Sequence, residues 1–309
     1  MDLRIGQFNL ENLFNRYHLL ERQRGARTGK PLDPEAFVRE GGNINMLGWQ
    51  VEDFDTVSSA QRKATAKVIA RNAPDILAVQ EVENQFALES FARRFLKGMG
   101  YTYAAVIDGN DHRQIDVGIL SRFPITHLRS HKWLVDGGGE RIFARDCLEI
   151  DVSMPKGPLT LFVNHFKSKI GGGAPHRAAQ AEAVAGIVED RFDGTRGKLY
   201  AVIGDLNMEA DEPEFAALAA TPLYNLLDAL PPEERWTHAW TRSKKRVEYR
   251  QSDHLLASPA LKNALRSLHI ERRGLPQEAT RFTGKRFANV KGKGTEASDH
   301  CAVFADFEL

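Results

Sequence analysis

Carboxylate, carboxamide and imidazole side chains stand at the ends of several apolar runs in this chain, where they could perform polar chemistry. Asp205 and Asn207 end the stretch "YAVIGDLN", and Glu81 follows "DILAVQ". Each of these residues, taken alone, also suits a turn or the first solvated position after a strand, because Asp and Asn hydrogen-bond to their own backbone. Only their joint presence at one edge of a fold would indicate a site.

The same pattern recurs in other parts of the chain. Two further apolar runs end with polar residues, and the last two apolar runs begin with them. They are Asn9 and Glu11, Asn164 and His165, Asp253, and Ser298 with Asp299 and His300. If these strands run alternately toward and away from one rim, carboxylates, amides and two histidines meet there. Oxygen ligands of this kind bind Mg²⁺ or Mn²⁺, and with two histidines they suit the hydrolysis of a phosphate ester.

Apolar runs of strand length alternate with helical patterns, which predicts an α/β or mixed-sheet fold. The predicted strands are 3–9, 75–81, 101–108, 116–121, 146–154, 159–166, 199–205, 252–258 and 300–309. We predict helices over 59–72, 85–98 and 175–192, the first of them capped by Ser58 or Ser59. No linker divides the chain, so we predict a single domain over residues 1–309. The charged, Gly-rich segments 15–57 and 271–297 predict long surface loops.

Composition restricts the class of protein. The 309 residues are 42% hydrophobic and 27% charged, and the sequence contains neither a signal peptide nor a long charge-free apolar segment. We therefore expect a cytoplasmic protein without membrane contact, with no evident protein partner, that acts as a monomer. Cys147 and Cys301 lie in apolar surroundings, which favours buried thiols over a disulfide framework or a zinc site, although one bridge between them remains open.

The net charge of +1 is unevenly distributed along the chain. Residues 241–293 carry +10 and the remainder carries −9, with basic clusters "RSKKR" at 242–246 and "GKRFANVKGKG" at 284–294. A basic stretch is often only a solvated face, but this asymmetry also suits a polyanionic partner such as nucleic acid. We expect both clusters to lie beside the predicted rim.

Seven motifs in order carry a family resemblance: "FNLENLF", "LAVQEVEN", "DVGILSRFPI", "FVNHFKSK", "GDLN", "SDHLLAS" and a C-terminal "SDH". Each is weak alone, but together they span Asn9 to His300. The chain resembles the endonuclease/exonuclease/phosphatase family, which includes deoxyribonuclease I-like nucleases, sphingomyelinases and inositol polyphosphate 5-phosphatases. The resemblance implies a four-layer α/β/β/α sandwich, in which two mixed sheets pack face to face with helices outside.

The resemblance also implies roles for individual residues. Glu81 is implied as the principal ligand of Mg²⁺ or Mn²⁺, assisted by Asn9, Glu11 and Asp299. The implied catalytic residues are Asp205, which orients or deprotonates the attacking water, Asn207, His165, Asp253, His300 and Arg145. Asp253 would polarise His300, and Asp116 could orient His165. His254 lies where the family has a variable residue, so we assign it no catalytic role.

The implied activity is metal-dependent hydrolysis of phosphodiester bonds in nucleic acid. "NLENLF" and "NHFKSK" resemble bacterial nuclease-like members more than the lipid or inositol branches. The alternatives are a phosphatase or phosphodiesterase acting on a small or lipid phosphoester and, less in keeping with the complete residue set, a catalytically silent binding scaffold. The long insertion between Asn9 and Glu81 and the Gly-rich loop after His165 leave the substrate open.

Overall fold

The computed structural model describes residues 1–14, 16–20, 50–54, 58–193, 197–243, 246–292 and 294–309. Most of the predicted loop 15–57, and Lys244 and Lys245 of the first basic cluster, therefore lie outside the described residues. The helices are α1 (Ser59–Asn72), α2 (Gln85–Phe95), α3 (Ala174–Phe192), α4 (Ala216–Ala219) and α5 (Pro259–Asn263), with 3₁₀ turns at Pro213–Phe215, Leu226–Ala229 and Pro232–Glu234.

Sixteen strands are described, and twelve of them form two six-stranded sheets. In chain order they are β1 (Asp2–Leu13), β2 (Arg16–Leu20), β3 (Gln50–Phe54), β4 (Ile76–Val82), β5 (Tyr103–Val106), β6 (Asp116–Ser121), β7 (Ile125–Ser130), β8 (Cys147–Val152), β9 (Leu159–His165), β10 (Leu199–Asp205), β11 (Tyr224–Asn225), β12 (His238–Ser243), β13 (Arg246–Arg250), β14 (Asp253–Ala257), β15 (Leu265–Glu271) and β16 (Ala302–Glu308). The first sheet has the order β15-β16-β1-β4-β6-β5 and the second β11-β14-β10-β9-β8-β7. Both sheets are mixed: β1 and β4 are parallel, as are β9 and β10, and the other neighbours are antiparallel.

The main core lies between the two sheets and follows from strand alternation. On β1, Leu3 and Ile5 face the second sheet, and on β10 Ala201 and Ile203 face back. Residues of the opposite parity, such as Phe8, pack on the outside under the helices. Because side chains alternate between the faces of a strand, the two apolar faces produce two outer layers and one inner core.

Helices cover both outer faces. Helices α1 and α2 pack on the first sheet, through Ile69 and Phe91 among others, and α3 packs on the second through Val184. Helix α1 begins as predicted: Ser58 Oγ accepts a hydrogen bond from Gln61 N (3.2 Å) and Gln61 Oε1 accepts one from Ser58 N (2.9 Å). This reciprocal capping satisfies two otherwise unpaired donors at the helix start. The α/β/β/α sandwich is confirmed.

All nine predicted strands and three predicted helices are present, but several edge elements were missed. They are β7, β11, β15 and the hairpins β2–β3 and β12–β13. The predicted surface loop 271–297 has no regular element, yet Leu275, Phe287 and Val290 in it are buried. Cys147 and Cys301 are buried free thiols. None of the described helices is long and apolar enough to cross a membrane.

Candidate active site

The candidate site lies where the inner faces of the strands change from apolar to polar. On β1 the two inner positions after Leu3 and Ile5 are Gln7 and Asn9, both fully buried. The other strands that reach this end of the sandwich also carry a polar residue at their last inner position. These residues are Gln80 in β4, His165 in β9, Asp205 in β10 and Asp253 in β14. Alternation along each strand therefore aims these side chains at one another.

The same alternation keeps two other residues out of the site. His254 faces outward, where its Nε2 donates to Met208 O (2.8 Å), in agreement with its exclusion from catalysis. Asp116 has the parity of the outward-facing residues of β6, and its Oδ1 accepts a hydrogen bond from Gly109 N (2.8 Å). The expectation that Asp116 orients His165 was wrong, because His165 Nδ1 has no hydrogen-bond partner among the described residues.

Glu81 reaches the site through a break in the alternation, and Glu11 lies in a similar irregularity of its strand. Strict alternation on β4 would point Glu81 outward, but the pairing with β6 shifts at this point and Glu81 adopts a left-handed φ of 60°. Glu11 and Asn12 sit in a similar shift of β1, with φ of 50° and 60°. The Asn12 N–H donates to Glu81 Oε2 at 3.0 Å. A left-handed conformation at a non-glycine residue costs about 1–3 kcal/mol of folding free energy and is often found at functional positions.

Asp205 is the centre of the hydrogen-bond network. Its Oδ1 accepts from Asn207 N (2.9 Å), and its Oδ2 accepts from Asn9 Nδ2 (3.1 Å) and Asn207 Nδ2 (3.3 Å). The Nε2 atoms of His165 and His300 lie 3.5 Å and 3.7 Å from Oδ2. Burial raises the pKa of Asp205 to about 6, although the nearby His300 charge opposes the rise. Asp205 is therefore more basic than an ordinary aspartate.

Asp253 and His300 form a buried pair beside Asp205. His300 Nδ1 lies 2.8 Å from Asp253 Oδ2, and Gln7 Nε2 donates to Asp253 Oδ1 at 2.7 Å. Burial alone would raise the pKa of Asp253, but the His300 charge and hydrogen bonds from neighbours outweigh burial and lower it. Burial would lower the pKa of His300, but Asp253 and Asp205 raise it well above its ordinary value. The geometry holds His300 as an imidazolium whose Nε2 faces the site.

Arg145 and His165 add a cation and a neutral ring. Arg145 is 2% exposed, with its Nε 3.1 Å from Asp111 Oδ2 and its Nη1 donating to Phe166 O at 3.1 Å. Burial, followed by the positive charges of Arg145 and His300, lowers the pKa of His165 well below its ordinary value. His165 is therefore neutral, and its Nε2 lies 3.9 Å from Glu81 Oε1.

Three predicted metal ligands form a crowded carboxylate group. Glu11 Oε2 accepts a hydrogen bond from Asp299 N at 3.0 Å. Burial and the charges of Asp299, Glu296 and Glu81 raise the pKa of Glu11 to about 8. Burial and Asp299 likewise raise the pKa of Glu81. Partly buried carboxylates that raise one another's pKa are stabilised by a cation, and their oxygens are the donors that Mg²⁺ and Mn²⁺ prefer. The chemistry of this residue set therefore fits such an ion, but the oxygens of Glu11, Glu81 and Asp299 do not form one of the groups of described residues whose ligand atoms all lie within 4.8 Å of one another.

His238, in β12, is a member of the site that the sequence did not indicate. Its ring stacks on His300 with centroids 4.0 Å apart, and its Nε2 lies 3.4 Å from Asp299 Oδ2. Two groups of potential ligand atoms within 4.8 Å of one another are found among the described residues: His238, Asp299 and His300, and Asp205, Asp253 and His300. The second group is already satisfied as a hydrogen-bond network. His238 was missed because "WTHAW" carries no motif and β12 was not predicted.

An open cleft of about 570 Å³ adjoins these residues. It is lined by Asn207, His238 and Ser252 from the site, by Trp240 and Arg250 of the β12–β13 hairpin, and by 168–171 of the Gly-rich loop. The cleft provides aromatic and cationic surface next to the catalytic cluster. A substrate group attached to a phosphate at the site can occupy this space.

Much of the basic segment 241–293 serves the fold. Arg272 lies 3.1 Å from Glu234 Oε2, and Arg273 pairs with Glu271. Arg286 donates to the main-chain oxygens of Leu275, Pro276 and Ala279. These contacts hold loop 271–297 in place. Part of the +10 charge of segment 241–293 is therefore engaged in ion pairs and hydrogen bonds within the fold.

Comparisons with known proteins agree with this geometry. A model of the endonuclease/exonuclease/phosphatase family matches residues 43–300. A truncated TDP2 from Caenorhabditis elegans has a TM-score of 0.63 at 16% identity, covering 100% of this chain and 98% of that one. TDP2 from D. rerio, complexed with a single-strand DNA product, gives 0.62 at 15%, with 100% and 99% covered. The human Nocturnin catalytic domain with bound sulfate gives 0.60 at 15%, with 99% and 94% covered. No curated protein matches the chain in sequence.

Proposed function

We propose that this chain, which belongs to the endonuclease/exonuclease/phosphatase family, is a phosphodiesterase that hydrolyses nucleic acid with a divalent cation. The proposal depends above all on one observation. Two buried aspartates flank His300, and their pKa values are moved in opposite directions: Asp205 to about 6, and Asp253 below its ordinary value. Because the two pKa values are moved apart, two chemically identical groups can take different roles: Asp205 that of general base and Asp253 that of permanent counter-charge to His300.

Asp205 acts as the base in the proposed reaction. It is ionised at neutral pH, yet its raised pKa makes it a better proton acceptor than a solvated aspartate. It takes a proton from the water that attacks phosphorus. Asn9 and Asn207 hold both carboxylate oxygens, so that the acceptor oxygen is oriented before substrate arrives.

His300, His165 and Arg145 provide positive charge and hydrogen-bond donors for the phosphate. Asp253 keeps His300 protonated through Nδ1, which leaves Nε2 to donate to a non-bridging oxygen as charge builds there. A divalent cation held by Glu81, Glu11, Asp299 and Asn9 would neutralise phosphate charge and polarise the phosphorus. Phosphoryl transfer is accelerated mainly by such positioning and charge neutralisation.

Nucleic acid is the substrate class favoured by the surroundings of the site. The cleft beside Asn207 presents Trp240 and Arg250, a combination that suits a base or sugar attached to the phosphate. TDP2 from D. rerio, whose fold this chain shares, is complexed with single-strand DNA. The basic segment adds long-range attraction for a polyanion even where its arginines are paired locally.

The test is hydrolysis of plasmid, single-stranded DNA, RNA and a small phosphomonoester in Mg²⁺, Mn²⁺ or EDTA. We expect cleavage of nucleic acid that EDTA stops. Asp205→Asn, which keeps the size of the side chain and one of its two acceptor oxygens, should abolish turnover in a protein that still folds. The matched control is Asp190→Asn, an exposed position on α3.

Three results would contradict the proposal. Cleavage of the phosphomonoester alone would support the small-substrate alternative. Normal turnover by Asp205→Asn would show that another group accepts the proton, and hydrolysis in EDTA would remove the cation from the mechanism.

A further inference from the structure

A second exposed aromatic side chain, Trp133, lies outside the Trp240 cleft. The segment 132–143, which we call the tryptophan hairpin, folds back on itself with Val135 opposite Arg141 and with a hydrogen bond from Ile142 N to Leu134 O (3.1 Å). Trp133 in this hairpin is 62% exposed. A Trp this exposed contributes little to the core, so packing does not explain its presence.

Two cations accompany the Trp133 ring. Lys132 Nζ lies 4.9 Å and the Arg141 guanidinium carbon 4.8 Å from the ring centroid. Arg141 also donates to Trp133 O, and Lys132 Nζ donates to Asp108 O at 2.5 Å. These bonds hold both charges next to an open aromatic face, an arrangement that suits a base stacked on the ring with its phosphate beside the cations.

The hairpin is anchored directly beside Arg145. Asn110 Nδ2 donates to Lys132 O (2.8 Å) and Phe143 O (2.9 Å), and Asn110 N donates to Ala144 O (2.7 Å). The hairpin register places Trp133 opposite Phe143, which is two residues before Arg145. Two residues span at most roughly 7 Å and opposite residues of a hairpin lie about 5 Å apart, so the Trp133 backbone lies within roughly 12 Å of the Arg145 backbone.

From these observations we propose that Trp133 stacks on an unpaired base next to the scissile phosphate, which makes single-stranded nucleic acid the preferred substrate. The inference rests on the proposed function. A base inside a duplex has both faces covered by its neighbours, whereas a single strand can offer a base to the ring.

A membrane surface is the other partner that exposed Trp, Leu and Val could meet, but the hairpin tip disfavours it. The residues that would enter a bilayer first are Asp136, three glycines and Glu140. Asp136 Oδ1 accepts from Gly138 N (2.8 Å) and Glu140 N (2.9 Å), so a carboxylate is built into the tip. Acidic tips are repelled by anionic lipid, and the basic residues Lys132 and Arg141 lie at the hairpin stem, away from the tip.

The experiment compares single-stranded and duplex 12-mers by fluorescence anisotropy in EDTA, where no cleavage occurs. We expect Trp133→Ala to weaken binding of the single strand roughly 5- to 100-fold, the range for loss of one base–aromatic stack, while duplex affinity is unchanged. Trp133→Phe should restore most of the affinity. Tyr224→Ala is the matched control: Tyr224 is 50% exposed, carries Lys262 Nζ 5.5 Å from its ring centroid, and lies at the far end of the second sheet.

The outcomes separate this inference from the proposed function. Equal single-strand affinity of wild type and Trp133→Ala, in a protein that cleaves DNA, would overturn the stacking role alone. Equal losses for single strand and duplex would also overturn it, since a stacked base is available only in the former. Binding of phosphatidylserine vesicles by wild type and not by Trp133→Ala would assign the hairpin to membranes. Failure of the wild type to cleave any nucleic acid would remove both proposals.

Discussion

Binding of Mg²⁺ or Mn²⁺ should release a proton from Glu11. In the ion-free protein the Glu11 carboxyl is partly buried and lies near the charges of Asp299, Glu296 and Glu81, which together raise its pKa to about 8. The carboxyl is therefore mostly protonated at pH 7. A cation bound at these residues favours the carboxylate, lowers this pKa and displaces the proton.

The expected amount follows from the pKa. A group with a pKa of about 8 carries about 0.9 proton at pH 7 and about 0.1 at pH 9. Binding at pH 7 should thus release about 0.9 proton from Glu11, and Glu81, whose pKa is raised in the same direction, should add to it. Affinity should fall about tenfold for each pH unit below 8, per proton displaced.

Calorimetric titration with MnCl₂ at pH 7 in two buffers of different ionisation heat measures this release. Glu11→Gln, which has no proton to lose, should reduce the release by about 0.9, and Asp190→Asn should leave it unchanged. Equal observed heats in the two buffers, with clear binding, would refute the reasoning, because no proton would then be displaced.

Three further predictions concern single substitutions. His300→Ala should lower kcat by roughly 10²–10⁴-fold in a protein that still folds but melts at a lower temperature, because Asp253 loses its buried counter-charge, and near-normal turnover would contradict its role. Burial raises the pKa of Asp116 to about 7, so its ionised form destabilises the fold above that pH. Asp116→Asn should therefore be more stable than wild type at pH 8, by up to about 4 kcal/mol, with the gain lost toward pH 4 in urea titrations. Gly204 has a φ of 140°, and a Cβ there would overlap the Asn164 carbonyl. Gly204→Ala should lose more than about 3 kcal/mol of stability, measured by the same titrations, and a normal midpoint would contradict this packing.

Strand parity made most of the site predictable from the sequence. In "YAVIGD" the inner residues are Ala201, Ile203 and Asp205, so the polar residue continues the face that packs the core. The same count places His165 and Asp253 on inner faces and His254 on an outer one. A residue can be assigned to the inner or outer face once the strand and its apolar face are known, and both can be read from the sequence.

Positions that depend on irregular backbone or on distant pairing could not be predicted this way. Glu81 has outward parity and turns inward because of the shift in the pairing of β4 with β6. His238 arrives through an isolated bridge to His300, 62 residues later in the chain. The strand-end pattern singled out Glu81 and the family resemblance gave it the role of metal ligand, but nothing in the sequence indicated His238. The prediction that Asp116 orients His165 failed because it ignored the alternation of side chains along β6, which places Asp116 on the outer face.

The site concentrates unfavourable features that a bound cation and phosphate would relieve. Four of the six non-glycine residues with positive φ among those described are Glu11, Asn12, Glu81 and Asn207. Left-handed backbone and crowded buried carboxylates each cost stability, and neither improves the packing of the ion-free protein. A cation would remove the repulsion between the carboxylates, and a phosphate oxygen would accept a hydrogen bond from the protonated His300 Nε2. Ligand binding should therefore stabilise this end of the sandwich more than the hairpins at its edges, because the strain lies where the ligand binds.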